Sequence, residues 1–143
     1  MSTVSFSYAG KQFSYPHKKA LKAFIPTIFS TEHKVLKVLR YIFCSDEYLL
    51  QINRQFLQRD YFTDIITFDL SETEEIIGEV YISIDRVKDN ARELAVAFEE
   101  EMLRVIFHGA LHLCGYKDKK KREIDRMRNL ETGYIRLYKQ SIV

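Results

Sequence analysis

The sequence predicts a single α+β domain over residues 1–143, in which a small mixed or mostly antiparallel sheet packs with about five helices. Three observations lead to this prediction. The chain has 143 residues, 46% of them hydrophobic, which is enough to bury one core. Segments with the two-residue period of strands occur in mixed order with segments of helical period. With only two prolines and five glycines, no flexible linker divides the chain.

The first half of the chain predicts two strands and two helices. Residues 3–8 alternate apolar and polar side chains as a strand does. Residues 18–29 have a helical pattern that Pro26 must bend or end, and residues 34–44 are rich in the β-branched and aromatic residues of strands. Ser45, followed by two acids, indicates a helix start. That helix runs to about Leu57, and its predicted inward residues are Leu49, Ile52 and Phe56.

The second half predicts a hairpin and three helices. Residues 63–70 and 76–84 are strands joined by a short polar loop. Asp85 is placed to cap the next helix. A long apolar helix from about 96 to 114 follows, and then a last helix from about 120 to 138. Val87, Ala91 and Leu94 lie on one side of the first of these helices, and Ile124, Met127, Leu130, Tyr134 and Leu137 recur at helical spacing in the last.

Composition and charge argue against several classes of protein. The formal net charge is +2, so charge alone does not indicate a nucleic-acid binder. The first residues lack a basic start followed by an apolar run, so we expect no secretory signal. Charged residues or histidines interrupt every apolar stretch well before 18 residues, so we expect no membrane span. Cys44 and Cys114 form no metal-type pair, and a reducing, cytoplasmic location is the expectation.

The segment HGALHLCGYKD, residues 108–118, contains the main functional signal. On a helical wheel, His108, His112, Arg104 and Glu101 fall in one narrow polar stripe, while apolar residues cover nearly all of the remaining arc. A helix that is apolar nearly all round is buried. The stripe should therefore line an internal cleft, where polar groups need partners.

The spacing in this segment predicts a metal site on the buried helix. His108 and His112 lie four residues apart, so both rings can reach one ion. Gly115 can end the helix and turn the chain back, so that Asp118 returns to the same point, while Cys114 points away. Three ligands and one open position are typical of catalytic zinc. The alternative is two core histidines bonded to the backbone and an Asp118 that caps the last helix.

The residue after the first histidine argues against a zinc peptidase. Metalloproteases of the zincin class place a glutamate there as the general base. In this sequence the position is Gly109, which instead lets the helix pack closely against a neighbour.

HGALHLCGYKD resembles the signature HGxLHLxGYDH of the YbeY family, bacterial endoribonucleases of ribosome maturation. TDIITFDL resembles the family's TDVLSFP segment, GEVYIS resembles GDIYIS, and INRQFLQRDYFTD resembles the stretch before TDVLSF, in matching order over roughly residues 35–140. The resemblance implies a metal cleft, one zinc ion held by three histidines, and cleavage of single-stranded RNA. It also implies a role in 16S rRNA 3′-end maturation and ribosome quality control. His108 and His112 match the first two histidines.

The sequence departs from the family pattern at the third ligand. That histidine falls on Asp118, which is also a possible zinc ligand. The extra negative charge should make a bound water less acidic, and it favours harder metals such as Mn²⁺ as an alternative to Zn²⁺.

A second departure concerns the arginine that the family usually has in its YRGKD segment. The matching position is Leu57, so we expect Arg59 or Arg104 to supply the catalytic cation. The alternatives are a solvated Arg59 and an Arg104 paired with Glu100 or Glu101. The sequence identifies no general base.

Residues 117–128 carry seven basic and three acidic side chains next to the predicted site. They can hold RNA phosphates or form the solvated start of the last helix. Tyr116 and Tyr61 can stack on bases or simply pack.

The leading hypothesis is a metal-dependent endoribonuclease whose partners are RNA, namely the 16S rRNA precursor, and the small ribosomal subunit. In this mechanism the metal activates a water and polarises a phosphate oxygen, and a nearby cation stabilises the transition state. The second hypothesis is a zinc hydrolase of a peptide or small molecule. The third is a non-catalytic ribosome-associated factor, which the loss of arginine at position 57 favours.

Overall fold

The computed structural model describes residues 2–10 and 15–142, and within them four strands and five helices form the predicted α+β fold. Every predicted element is present, with ends shifted by a few residues. In chain order the elements are β1 (Thr3–Ala9), α1 (Lys18–Thr31), β2 (Val35–Cys44), α2 (Asp46–Leu57), β3 (Ile65–Asp69), β4 (Glu75–Ser83), α3 (Ile84–Leu94), α4 (Phe98–Leu113) and α5 (Lys121–Ser141).

The four strands form one mixed sheet in the order β1-β2-β4-β3. β1 pairs with β2, and β2 with β4, in parallel, while β3 and β4 form the predicted antiparallel hairpin. In that hairpin Ile65 lies opposite Ile82 and Asp69 lies opposite Gly78. β3 is therefore an edge strand, and its outer edge is available to form the wall of a cleft.

The two faces of the sheet are covered differently. α1, α4 and α5 enclose the main core with the side chains of Leu39, Tyr41 and Phe43. α2 covers a smaller cluster on the opposite face, around Cys44 and Ile66. The polar stripe of α4 therefore lies on the side of the sheet that has the larger core.

α4 is the central helix, and ten of its 16 residues are buried, as its apolar circumference predicts. Glycine is needed where it meets the sheet, because a Cβ atom added to Gly109 would lie 2.9 Å from Val80 Cγ1. Likewise, a Cβ atom added to Gly78 of β4 would lie 2.5 Å from Leu113 Cδ1. Although α4 is so apolar, no helix in residues 2–10 and 15–142 is long and apolar enough to cross a bilayer.

The prediction that Phe56 faces inward is wrong, and three apolar residues from the helical patterns of α3 and α5 are also exposed. Phe56, Leu94, Ile124 and Leu137 are 58%, 51%, 44% and 52% exposed. All four lie on helices that pack on the outside of the fold, where only a narrow stripe of each helix meets a partner. The helical period identifies the apolar side of each helix correctly but overestimates how much of the helix surface is buried.

The caps and the proline also differ in part from expectation. Ser45 caps α2 as predicted, by accepting a hydrogen bond from the Tyr48 N–H at 3.1 Å. α3 is capped by Ser83 and not by Asp85, which lies in the first turn and instead accepts from the Asp46 N–H at 3.0 Å. α1 continues beyond Pro26 to Thr31.

Candidate metal centre in a cleft beside helix α4

The histidine stripe of α4 forms the floor of a cleft of about 780 Å³. One wall is β3 and the segment before it, because Gly109 packs against Ile65 on that side of the stripe. The other wall is α5, because Arg104 on the opposite side of the stripe pairs with Glu131. As predicted, the stripe lines an internal cleft and not an ordinary solvated surface.

His108, His112 and Asp118 converge at one point in this cleft. Asp118 Oδ2 lies 3.0 Å from His108 Nε2 and 3.3 Å from His112 Nε2, and one ligand atom from each residue lies within 4.8 Å of the others. Ligands of a tetrahedral ion with bonds of 2.0–2.1 Å are separated by about 3.3 Å. Two imidazoles and a carboxylate at these separations fit a divalent ion of the zinc type.

The turn after α4 places Asp118 in the cluster. Gly115 has a φ of +106°, which strains any residue with a side chain, and its N–H donates to the His112 carbonyl at 2.9 Å. The chain then folds back, and the Tyr116 N–H donates to the Leu111 carbonyl at 3.1 Å. α5 begins at Lys121 with Lys120 as its N-cap, so the alternative in which Asp118 caps the last helix is wrong.

Cys114 stays outside the cluster, as the helical wheel predicts. Its side chain is 6% exposed and packs in the main core. Burial raises the pKa of its thiol to about 12, so that thiol stays neutral near neutral pH.

A buried carboxylate that sequence reasoning missed fixes the ring of His108. Glu131 is only 4% exposed, and its Oε2 accepts a hydrogen bond from His108 Nδ1–H at 2.6 Å. With Nδ1 bonded to Glu131, Nε2 faces Asp118 Oδ2 at 3.0 Å, where both atoms can coordinate the predicted ion. Carboxylate–histidine–metal arrangements of this kind orient the ring and raise its basicity.

His112 has a different support. Its Nδ1–H donates to the main-chain carbonyl of Tyr116 at 2.8 Å, four residues along the chain. The Tyr116 hydroxyl donates to Glu32 Oε1 at 2.6 Å, and the guanidinium of Arg126 lies 5.4 Å from the centre of the Tyr116 ring. Both histidines therefore offer Nε2 to the cleft and use Nδ1 to hold their orientation.

Burial changes how two of the other carboxyl groups in the cleft, Asp64 and Glu101, ionise. Burial raises the pKa of Asp64, against the opposing charge of His108. Burial also raises the pKa of Glu101, which is 7% exposed, and the nearby Asp64 adds to that rise. Burial disfavours the charge of His108, but the hydrogen bond and charge of Glu131 raise its pKa overall.

The two candidate catalytic arginines have different surroundings. Arg104 does not pair with Glu100 or Glu101: its Nη1 lies 3.0 Å from Glu131 Oε1, and its Nη2 donates to Thr132 Oγ1 at 3.1 Å. Glu100 pairs with Lys139 instead.

Arg59 lines the wall opposite α5, as does Leu57, which lies at the position of the expected family arginine. The segment that carries Arg59 is shaped by Asn53, which is 1% exposed and donates from Nδ2 to the Tyr61 carbonyl at 2.9 Å. The structure therefore brings both candidate arginines to the cleft, with only Arg104 held by a buried partner.

The model of a family described as Endoribonuclease YbeY matches residues 7–139 of the sequence. The chain belongs to the YbeY family. The Endoribonuclease YbeY of Cytophaga hutchinsonii is 46% identical over 138 residues, which cover 96% of each chain. That of Flavobacterium johnsoniae is 41% identical and covers 94% of this chain and 96% of its own. The family resemblance of the HGALHLCGYKD segment is thus confirmed.

A solved structure has a similar fold. The solution structure of TM1509 from Thermotoga maritima is similar with a TM-score of 0.64 and 28% identity, over 96% of this chain and 93% of that one. The similarity extends over the whole arrangement of sheet and helices that forms the cleft.

Proposed function

We propose that this chain is a metal-dependent endoribonuclease that cleaves single-stranded RNA, and that it acts in 16S rRNA 3′-end maturation and ribosome quality control in the cytoplasm. The observation that carries the proposal is the convergence of His108, His112 and Asp118 in one cleft, in a chain whose curated relatives are named endoribonucleases. Its proposed partners are precursor 16S rRNA and the small ribosomal subunit.

The proposed cofactor is one Zn²⁺ ion held by these three side chains, with Mn²⁺ as the alternative that the carboxylate favours. When bound, such an ion lowers the pKa of a water molecule and polarises a phosphate oxygen. The other contributions come from the protein. Glu131 and the Tyr116 carbonyl hold the two imidazoles in the orientation that directs Nε2 into the cleft.

Arg59 is the proposed catalytic cation on the wall formed before β3, where a guanidinium can stabilise negative charge that develops on phosphate. Arg104 is proposed to act differently from the sequence expectation. Its guanidinium is bound to Glu131, so it holds that carboxylate in position beside His108. It thereby contributes to catalysis by positioning His108, a proposed metal ligand, and not by contacting the substrate.

The geometry argues against a peptidase. A glutamate in place of Gly109 would have its Cβ atom 2.9 Å from Val80 Cγ1 and 3.2 Å from Ile65 Cδ1. These contacts belong to the packing between α4 and the sheet, so the position has no room for a general base. We therefore expect no cleavage of peptide substrates.

The experiment uses untagged protein and a fluorescent single-stranded RNA with the 3′ end of precursor 16S rRNA, beside a duplex of the same sequence and a peptide library. We expect cleavage of the single strand alone, loss on chelation, recovery with Zn²⁺ or Mn²⁺, and no cleavage by His112→Ala. His33→Asn is the matched control, because His33 is exposed and asparagine tolerates its φ of +59°. RNA cleavage that persists in His112→Ala would overturn the proposal. Metal binding without cleavage would favour the non-catalytic factor.

A further inference from the structure

We propose that Arg128 of α5 binds a backbone phosphate of the RNA strand in the cleft. This inference rests on the proposed ribonuclease function and adds a substrate-binding residue on the wall opposite β3. The sequence placed Arg128 only within a general basic run, without a role of its own.

The pairing of α4 with α5 places Arg128 beside the histidines. Glu100 pairs with Lys139 and Arg104 pairs with Glu131, so the two helices run antiparallel. Arg128 precedes Glu131 by three residues, which is about 4.5 Å along the helix axis toward the end of α4 that carries His108 and His112. It lines the same cleft as both histidines.

The guanidinium of Arg128 is available for a ligand. Three arginines line the cleft, namely Arg59, Arg104 and Arg128. Arg104 is bound to Glu131 and Thr132, whereas Arg128 is exposed and its side chain forms no hydrogen bond or ion pair within residues 2–10 and 15–142. Its main chain is nevertheless anchored, because its carbonyl accepts from Arg104 Nη1 at 3.4 Å.

Arg128 lines the cleft near enough for its positive charge to affect a carboxyl group on the floor. Burial raises the pKa of Glu101 on the floor of the cleft, and the charges of Arg104 and Arg128 oppose that rise. Five carboxyl groups line the cleft, namely Asp64, Asp69, Glu101, Asp118 and Glu131. Arg128 pairs with none of these five carboxyl groups, so the N–H donors of its guanidinium are free to bind a ligand.

A phosphate group matches the geometry of these guanidinium donors. Arginine offers planar, parallel N–H donors that match two phosphate oxygens, and phosphate contacts supply much of the affinity for single strands. A strand whose phosphate is held on the α5 wall would cross the histidine floor toward β3. A contact to a phosphate beside the reacting one is the same in the ground state and in the transition state, so its loss should affect KM more than kcat.

The test compares Arg128→Ala, Arg128→Lys and Arg136→Ala. Arg136 is the matched control, since it is an exposed arginine on the same helix that does not line the cleft. Initial rates on the single-stranded RNA give kcat and KM at several salt concentrations. Metal content and thermal unfolding of each variant should equal those of the wild type, because surface substitutions of this kind rarely disturb a fold.

We expect Arg128→Ala to raise KM about tenfold with kcat within about threefold of the wild type, as expected for one charge-assisted contact. The slope of log KM against log salt should fall by about 0.7, the value for one phosphate of a single strand. Arg128→Lys should recover part of the loss, because it keeps the charge without the parallel donors. Arg136→Ala should match the wild type.

The outcomes separate this inference from the proposed function. If the wild type binds the RNA without cleaving it, the proposed function fails. The role of Arg128 is then tested by the Kd for the RNA, measured by fluorescence anisotropy and compared between each variant and the wild type. Equal KM or Kd values in Arg128→Ala and Arg136→Ala would overturn the inference, as would a fall in kcat at unchanged KM. A wild type that neither binds nor cleaves RNA would overturn both.

Discussion

His108 and His112 both direct Nε2 into the cleft, but different groups hold their rings in that orientation. His108 Nδ1 donates to the side chain of Glu131, which lies 23 residues further along the chain on another helix. His112 Nδ1 donates to the main-chain carbonyl of Tyr116, only four residues away. A side-chain support adds negative charge beside the ligand and can be lost by mutation. A main-chain support is neutral, and it depends on the turn at Gly115 and not on the identity of the residue that supplies it.

The largest effects should come from removing the ligands themselves. We expect His108→Ala and His112→Ala both to reduce bound metal from about one ion per chain to none, and RNA cleavage to background. His108→Ala should also lower the free energy of unfolding by about 1–3 kcal/mol more than His112→Ala, because it leaves the buried Glu131 with one partner fewer. Metal analysis and urea unfolding check this prediction. Equal unfolding free energies would mean that the two supports are equivalent.

Replacement of the carboxylate ligand should have the next largest effect. Asp118→Ala should weaken metal binding by more than about 100-fold, which exceeds the usual effect of losing a hydrogen-bond partner of a ligand. Asp118→His should keep the ion, and it should increase the preference for Zn²⁺ over Mn²⁺, because it exchanges a carboxylate for an imidazole. Competition titrations with a chromogenic chelator measure both changes. An unaltered affinity in Asp118→Ala would remove Asp118 from the site.

Glu131→Gln tests the side-chain support of His108 together with its ion pair to Arg104. The glutamine keeps the shape but loses the charge that Arg104 and His108 share, so we expect metal affinity to fall about 10–100-fold. Glu93→Gln, an exposed change on α3 outside the cleft, is the control and should have no effect. If metal affinity were equal in the two variants, Glu131 would have only a structural role.

The smallest effect should come from Tyr116→Phe. This change removes the hydroxyl that donates to Glu32 but keeps the carbonyl that holds His112. We expect the free energy of unfolding to fall by about 1 kcal/mol, with metal affinity within about twofold of the wild type. Tyr48→Phe, on the exposed face of α2, is the matched control. A large loss of metal would show that the hydroxyl also determines the position of the turn.

The parts of the site that could be predicted from sequence are those encoded locally. His108, His112, Gly115 and Asp118 lie within eleven residues, and helix geometry with a glycine turn is enough to bring three of them together. The same holds for the hairpin of β3 and β4, whose polar loop is visible in the sequence. The parallel pairings of the sheet had no such signal, because β1, β2 and β4 meet only through long connections.

Glu131 was missed because its partners are distant in sequence, yet a signal existed. It follows Met127 by four residues and precedes Tyr134 by three, and both of those are buried. An acid at a core position of an amphipathic helix needs a buried cation or a histidine as partner. The same reasoning would have paired Arg104 with a distant acid, where local spacing suggested Glu100 or Glu101.

The position of Glu131 also has a consequence for the time at which the protein becomes competent during its synthesis. The three candidate metal ligands precede α5, so a growing chain contains all of them before Glu131, which orients His108, has been made. Until α5 has been made and packed on α4, Glu131 cannot accept from His108 Nδ1 or pair with Arg104. A ribosome that is still translating this chain therefore holds an immature enzyme, and the cleft takes its final form only when the last helix is in place.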